Sequence, residues 1–276
     1  MKKLFLVFFA CFSLLFGKEL SFAQIGNGEA FVLISPNQKA KKLVIAGKER
    51  SWINHPSKAG YKFAIISAKY ASSGEIIVNN GDEKLIFSIK ALPYKKEQIT
   101  VNQSRVTPPK SVQKRIKKER DEANKIYATF TPELFISKPF KVPLNSKITS
   151  PYGGARMFNG SLKSFHSGTD FRAAVGVQIP ASNDGIVRIA KDRYYAGGSV
   201  VIDHGSGIYT QYYHLSRVDV KVGDRVSQGQ IVGLSGATGR VSGPHLHFGV
   251  FAGGTQVNPM SFIKEFNEKL FLNIKL

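Results

Sequence analysis

Gly243-Pro244-His245-Leu246-His247-Phe248-Gly249-Val250-Phe251 decides how this chain is read. Side chains along a strand alternate between faces, so His245 and His247 project one way while Leu246 turns toward apolar packing. A second stretch, His166-Ser167-Gly168-Thr169-Asp170, adds another imidazole and, four residues on, a carboxylate. Its composition reads as a loop, so turn conformation has to bring His166 and Asp170 together, and Gly168 permits the bend. The two stretches concentrate three of only six histidines. Such a nitrogen and oxygen donor set holds zinc while leaving a position open for water, the requirement of a hydrolytic site.

Outward from these stretches, residues from about 131 are dense in glycine and short in strand. Runs at 185–190, 199–203, 208–214, 230–233 and 245–251, joined by turns such as His204-Gly205-Ser206-Gly207, predict a largely antiparallel β domain with almost no helix. His214 ends one of these runs and on its own reads as structural. His204 reads as part of a hairpin. Residues 18–105 carry β-rich runs, with Asn80-Gly81 as a hairpin signal between Ile76-Ile77-Val78 and Leu85-Ile86-Phe87. This predicts a small all-β domain, in which His55 beside Pro56 reads as a surface or turn histidine. Between the two, residues 106–130 predict a basic linker helix opened by Pro108-Pro109, with Val112, Ile116, Ala123, Ile126, Tyr127 and Phe130 at helical spacing and lysines on a solvated face. The chain class is therefore mainly β: N-terminal β domain, linker helix, catalytic domain at 131–265 and a C-terminal tail at 266–276.

The N-terminus sets the compartment. Lys2 and Lys3 precede an apolar run that stops at Lys18-Glu19, too short for an ordinary membrane span and fitting a secretory signal over residues 1–17. Contact with the membrane is then confined to export, and the location is the periplasm or cell envelope. Cys11, the single cysteine, lies inside this segment, so the mature chain has neither disulfides nor thiolate ligands. The formal charge of +20 drops to +18 when Lys2 and Lys3 leave. A field of that size attracts polyanions, and export favours an anionic envelope over nucleic acid. Glu119, Asp121 and Glu122, which interrupt the basic run of the helix, point the same way.

Ser150-Pro151-Tyr152-Gly153, His166 to Phe171, Asp203-His204-Gly205, Tyr213-His214-Leu215-Ser216, the 223–230 stretch, Ser235-Gly236-Ala237-Thr238-Gly239 and Gly243 to Phe248 resemble, in order and spacing, the lysostaphin-type or LytM-like zinc metallopeptidases. The resemblance covers about residues 143–260. It implies a lysostaphin-type fold for the catalytic domain, with one Zn2+ held by His166, Asp170 and His247, and with His214 and His245 as catalytic histidines. It also implies a peptidoglycan substrate, cut in stem peptides or cross-links. A D,D-endopeptidase is the preferred reading, with carboxypeptidase trimming the lesser one, in wall remodelling, separation or cell shape. A regulatory envelope protein is a further expected partner.

Three rival readings meet specific residues that oppose them. Relatives that have lost zinc ligands act as non-catalytic binding proteins that activate other wall hydrolases, but all five positions are kept here. Val222 to Gln230 resembles half of a biotinyl or lipoyl carrier motif, yet no lysine occupies the hairpin tip. Gly233-Leu234-Ser235-Gly236-Ala237 lacks the second glycine of a serine-hydrolase elbow. Finally, the domain order leads to the expectation that the region before the catalytic domain covers its cleft.

Overall fold

The computed structural model describes residues 20–160 and 162–272, so the expected signal at 1–17 lies outside them. No helix among the described residues is long and apolar enough to cross a membrane.

The N-terminal runs form two sheets. Five strands lie in the order Leu20–Gly26, Glu83–Lys90, Glu75–Asn80, Leu43–Ile45 and Lys48–Arg50, the first pair parallel. Three more, Ala30–Pro36, Tyr61–Ser67 and Ile53–Asn54, pack on them through Ala64 and Ile66, which meet Leu43, Ile76, Val78 and Phe87. The hairpin turn falls one residue later than expected. Asn80 pairs with Glu83, and its side chain accepts the Lys41 N–H at 2.8 Å and donates to the Lys39 carbonyl at 2.8 Å. Gly81, at φ 63°, takes the positive-φ position instead. His55 is buried rather than on the surface, and its Nδ1 accepts the N–H of Lys58 at 3.0 Å. It is a turn histidine, its pKa lowered by burial and by nearby Lys58.

Seven of the C-terminal strands run through one long antiparallel sheet in the order Ile148–Ser150, Thr169–Arg172, His245–Ala252, Tyr209–Leu215, Gly197–Asp203, Gly185–Arg193 and Arg225–Val226. Its two faces are used differently. Leu246, Phe248, Val250 and Ala252 enter the main core, whereas His245 and His247 alternate to the other side.

The main core is shared by both halves of the chain. Phe63 and Ile65, one strand position away from Ala64 and Ile66, turn out of the N-terminal sandwich into it. There Phe63 meets Phe266 edge-on at 5.9 Å. Phe266 belongs to helix α2 (Pro259–Asn267), which the glycine-rich texture upstream gave no reason to expect. Its start is legible in retrospect: Asn258 caps it by accepting the Met260 N–H at 3.1 Å, and Pro259 occupies the first position. The helix crosses the expected boundary at 265, and buried Leu270 follows in a π-helical turn. Helix α1 (Lys110–Ala128) starts after Pro109 and lies on the histidine side of the sheet, burying Ala123 against Ile189, Val201 and Tyr209.

Candidate metal centre and cleft

Strand pairing places the candidate ligands. Asp170 stands directly opposite His247 on neighbouring antiparallel strands, so their side chains share a face. His166 enters from the loop just before the Asp170 strand. The result is a triangle of donor atoms: His166 Nε2 to Asp170 Oδ1 2.8 Å, His247 Nδ1 to Asp170 Oδ1 2.9 Å, and His166 Nε2 to His247 Nδ1 3.0 Å. All three residues are buried. A tetrahedral zinc ion with bonds of about 2.0–2.1 Å spaces its ligands roughly 3.3 Å apart, so an outward shift of a few tenths of an ångström suffices.

The hydrogen bonds around the triangle suit a cation. A carbonyl only accepts, so His166 Nδ1, 2.8 Å from the Pro151 carbonyl, donates there and leaves Nε2 to face the cluster. Nε2 lies against a carboxylate oxygen and another imidazole nitrogen. Burial raises the Asp170 pKa, but the contacts with His166 and His247 outweigh it and hold the carboxyl well below the usual range. Burial lowers His247 to about 4 against the opposing pull of Asp170, so it is neutral at pH 7. The outer oxygen of Asp170 takes Arg156 at 2.9 Å, and Arg156 is itself held by Glu97 at 3.1 Å and Ser150 at 2.9 Å. Arg156 and Glu97 were not singled out from sequence. Glu97 lies outside the catalytic region as read there, and it arrives because strand Lys96–Ile99 adds parallel to Ala155–Phe158.

His214 and His245 stand beside this triangle. Their rings are 4.8 Å apart, and His214 is 5.8 Å from the His247 ring. Each is tethered like His166: Nδ1 of His214 donates to the Thr238 carbonyl and that of His245 to the Gly243 carbonyl, both at 2.8 Å. Nε2 of neither makes a hydrogen bond among the described residues, and His245 Nε2 lies 3.7 Å from Asp170 Oδ1. Burial, then nearby His247 and His245, hold the His214 pKa well below its ordinary value. Simple alternation would send His214 to the face opposite Tyr213, which stacks on His247 at 5.5 Å. A register shift in the pairing with Gly197–Asp203 and a φ of 67° at His214 turn it back. His204, by contrast, is remote from the cluster, bonded to the Asp184 carbonyl and to Thr210.

The histidines open into a cleft of about 510 Å³. Helix α1 forms one wall through Ile116, Glu119, Ala123 and Tyr127; it is not a fully solvated linker. The Tyr127 hydroxyl lies 3.2 Å from that of Tyr213 and accepts Gln211 Nε2 at 2.8 Å, which ties the wall to the sheet. The preceding region thus supplies part of the lining of the cleft.

Known proteins are similar to parts of this chain. Residues 164–259 match the model of peptidase family M23. The peptidoglycan DD-endopeptidase ShyA of Vibrio cholerae is 50% identical over 95 residues, 34% of this chain and 22% of that protein. Lysostaphin of Staphylococcus staphylolyticus is 40% identical over 105 residues, 36% of this chain and 22% of that protein. The chain thus spans less than a quarter of the length of these two relatives. A crystal structure from Pseudomonas aeruginosa assigned to peptidase M23 aligns more broadly, over 85% of this chain and 94% of that one, with a TM-score of 0.65 and 26% identity. The lysostaphin-type reading of the sequence and the mainly β architecture both stand, and residues 164–259 form a domain of peptidase family M23.

Proposed function

We propose that this chain is a zinc-dependent peptidoglycan hydrolase of the cell envelope that cleaves peptide bonds in stem peptides or cross-links, by preference as a D,D-endopeptidase. His166, Asp170 and His247 hold one Zn2+, and His214 and His245 are the catalytic histidines. The observation that carries the reading is the convergence of three buried ligand atoms within 3.0 Å of one another, beside two further imidazoles whose Nδ1 atoms are tied to backbone carbonyls. Bound zinc supplies Lewis acidity toward water and a peptide carbonyl.

The chain's own groups do the rest. Nε2 of His214 or His245 accepts a proton from the attacking water, because Nδ1 of each is already committed to a backbone carbonyl. The imidazolium so formed donates to the developing oxyanion or to the leaving amine. Arg156 fixes the outer oxygen of Asp170, so the carboxylate presents one oxygen to the site. The relatives named above support the substrate, and the strongly basic chain suits a wall carrying carboxylates.

The test is to incubate the purified chain with muropeptides of known cross-linking, with and without chelator, beside a His247→Ala variant, and to weigh the products. Loss of cleavage on chelation and in the variant is expected. Intact hydrolysis in both would refute the zinc mechanism, and zinc binding without any product would restore a non-catalytic binding role.

A further inference from the structure

The cleft beside the histidines is strongly cationic, and two of its cations have no anion. Arg120, Arg156, Arg193 and Arg240 line it, against one acid, Glu119. Glu119 is already engaged, its Oε1 by Arg115 at 2.6 Å and its Oε2 by the Tyr194 N–H at 2.8 Å. Arg156 is engaged by Glu97 and Asp170, and Arg120 lies 3.8 Å from Asp121. Arg193 and Arg240 meet no carboxylate among the described residues. Arg193 donates once, to the Glu119 backbone carbonyl at 3.2 Å, and its buried Nε–H finds no acceptor. The Arg240 guanidinium makes no hydrogen bond among the described residues; it lies 4.4 Å from the Phe158 ring and 4.7 Å from the Tyr195 ring.

We propose that Arg240, in a cleft that Arg193 also lines, forms a subsite for a free carboxylate of the peptide substrate. A guanidinium held against aromatic faces keeps its N–H edge free and pre-oriented, and that edge matches a carboxylate in a bidentate pair. An unneutralised cation in a partly buried cleft is costly, and an anionic ligand offsets that cost. The subsite shares its cleft with His166, His214 and His247. Arg240 lies two residues after Thr238, whose carbonyl tethers His214. Arg193 lies 5.9 Å from the ring of Tyr213, which stacks on His247. A carboxylate bound here belongs to a residue close to the scissile bond, so it sets specificity as well as affinity. The proposal rests on the hydrolase reading above and deepens it by naming the charge the substrate carries.

The probes are D,D-linked peptides from peptidoglycan that differ in one group: the side carboxyl nearest the scissile bond free or amidated, and in a second pair the chain-terminal carboxyl free or amidated. Affinity for the full chain is read as KM where cleavage occurs and by calorimetry in every case. For the pair that contains the recognised carboxylate, amidation is expected to weaken binding roughly tenfold or more. Which pair responds identifies the source of the carboxylate. In Arg240→Gln the free and amidated forms bind alike, Arg240→Lys recovers part of the difference, and Arg193→Gln reduces it. Thermal melts matching the parent chain show that the variants fold; if Arg240→Gln does not, Arg193→Gln and the parent chain's own discrimination decide. Equal affinity for free and amidated forms of both pairs in the parent chain overturns the proposal, as does an Arg240→Gln variant that loses affinity equally for both forms. Discrimination without cleavage sinks the hydrolase reading and keeps the subsite, whereas cleavage without discrimination does the reverse.

Discussion

At the scale of single residues, Gly168 shows how little slack the centre has. The sequence reading assigned it a bend, but its φ is not positive; what it supplies is space. A Cβ there would lie 2.5 Å from the Phe248 carbonyl oxygen and 2.6 Å from His247 Nε2. Since backbone cannot yield easily, Gly168→Ala is expected to push the His247 ring and cut zinc affinity by roughly tenfold or more, read by competition with a chelator. An unchanged affinity would mean that the ring position is not critical. His204 gives a different kind of test because it lies wholly in the core. Burial lowers its pKa from 6.5 to about 4, so the unfolded chain binds a proton there that the folded chain refuses. Its contribution to stability is complete above pH 6.5 and falls as the pH drops toward 4, by roughly 3 kcal/mol in all. Urea titrations at pH 7 and 4.5 should show a smaller acid loss in His204→Gln than in the parent chain; equal losses would show that another group is responsible.

At the scale of elements, the legible parts were those whose side-chain pattern carries its own geometry. The alternation of His245, Leu246 and His247 gave the correct faces, because a strand has period 2 wherever it sits. The rest depended on tertiary contacts. Nothing local shows that the apolar stripe of α1 becomes a cleft wall, since Ala123 and Tyr127 acquire that role from Val201, Tyr209 and Tyr213. Glu97 was invisible for the same reason: it reaches Arg156 only because its strand pairs in parallel with one that begins 59 positions later in register, Glu97 opposite Arg156. That strand is thus part of the support of Asp170. Glu97→Gln keeps the shape and removes the charge that holds Arg156, so it should lower zinc affinity by roughly tenfold without a large change in melting temperature. Metal release measured with a chromogenic chelator checks this, and an affinity equal to that of the parent chain would confine Glu97 to a structural role.

At the scale of the whole molecule, the shared core decides whether the two halves act as one. The Tyr61–Ser67 strand gives Ala64 and Ile66 to the N-terminal sandwich but Phe63 and Ile65 to the core that holds Phe248, Phe262 and Phe266. Across the same junction Glu265 accepts the Val32 N–H at 3.1 Å, and Ser261 donates to Glu29 at 3.1 Å. Cutting the chain to residues 131–276 would therefore expose the α2 face and remove the α1 wall, so lost stability, rather than released activity, is the expected result. The full chain should unfold in one cooperative step. Its one tryptophan makes this measurable, because Trp52 sits in the N-terminal sandwich, where its Nε1 donates to the Lys41 carbonyl at 2.9 Å. Trp52 fluorescence and far-ultraviolet dichroism, which senses both halves, should give coincident urea transitions. Phe63→Ala opens a cavity beside Phe266 and should cost about 3–5 kcal/mol, moving both signals together if the core couples the halves. If the fluorescence transition alone moved to lower urea, the N-terminal sandwich would be an independent domain resting against the peptidase.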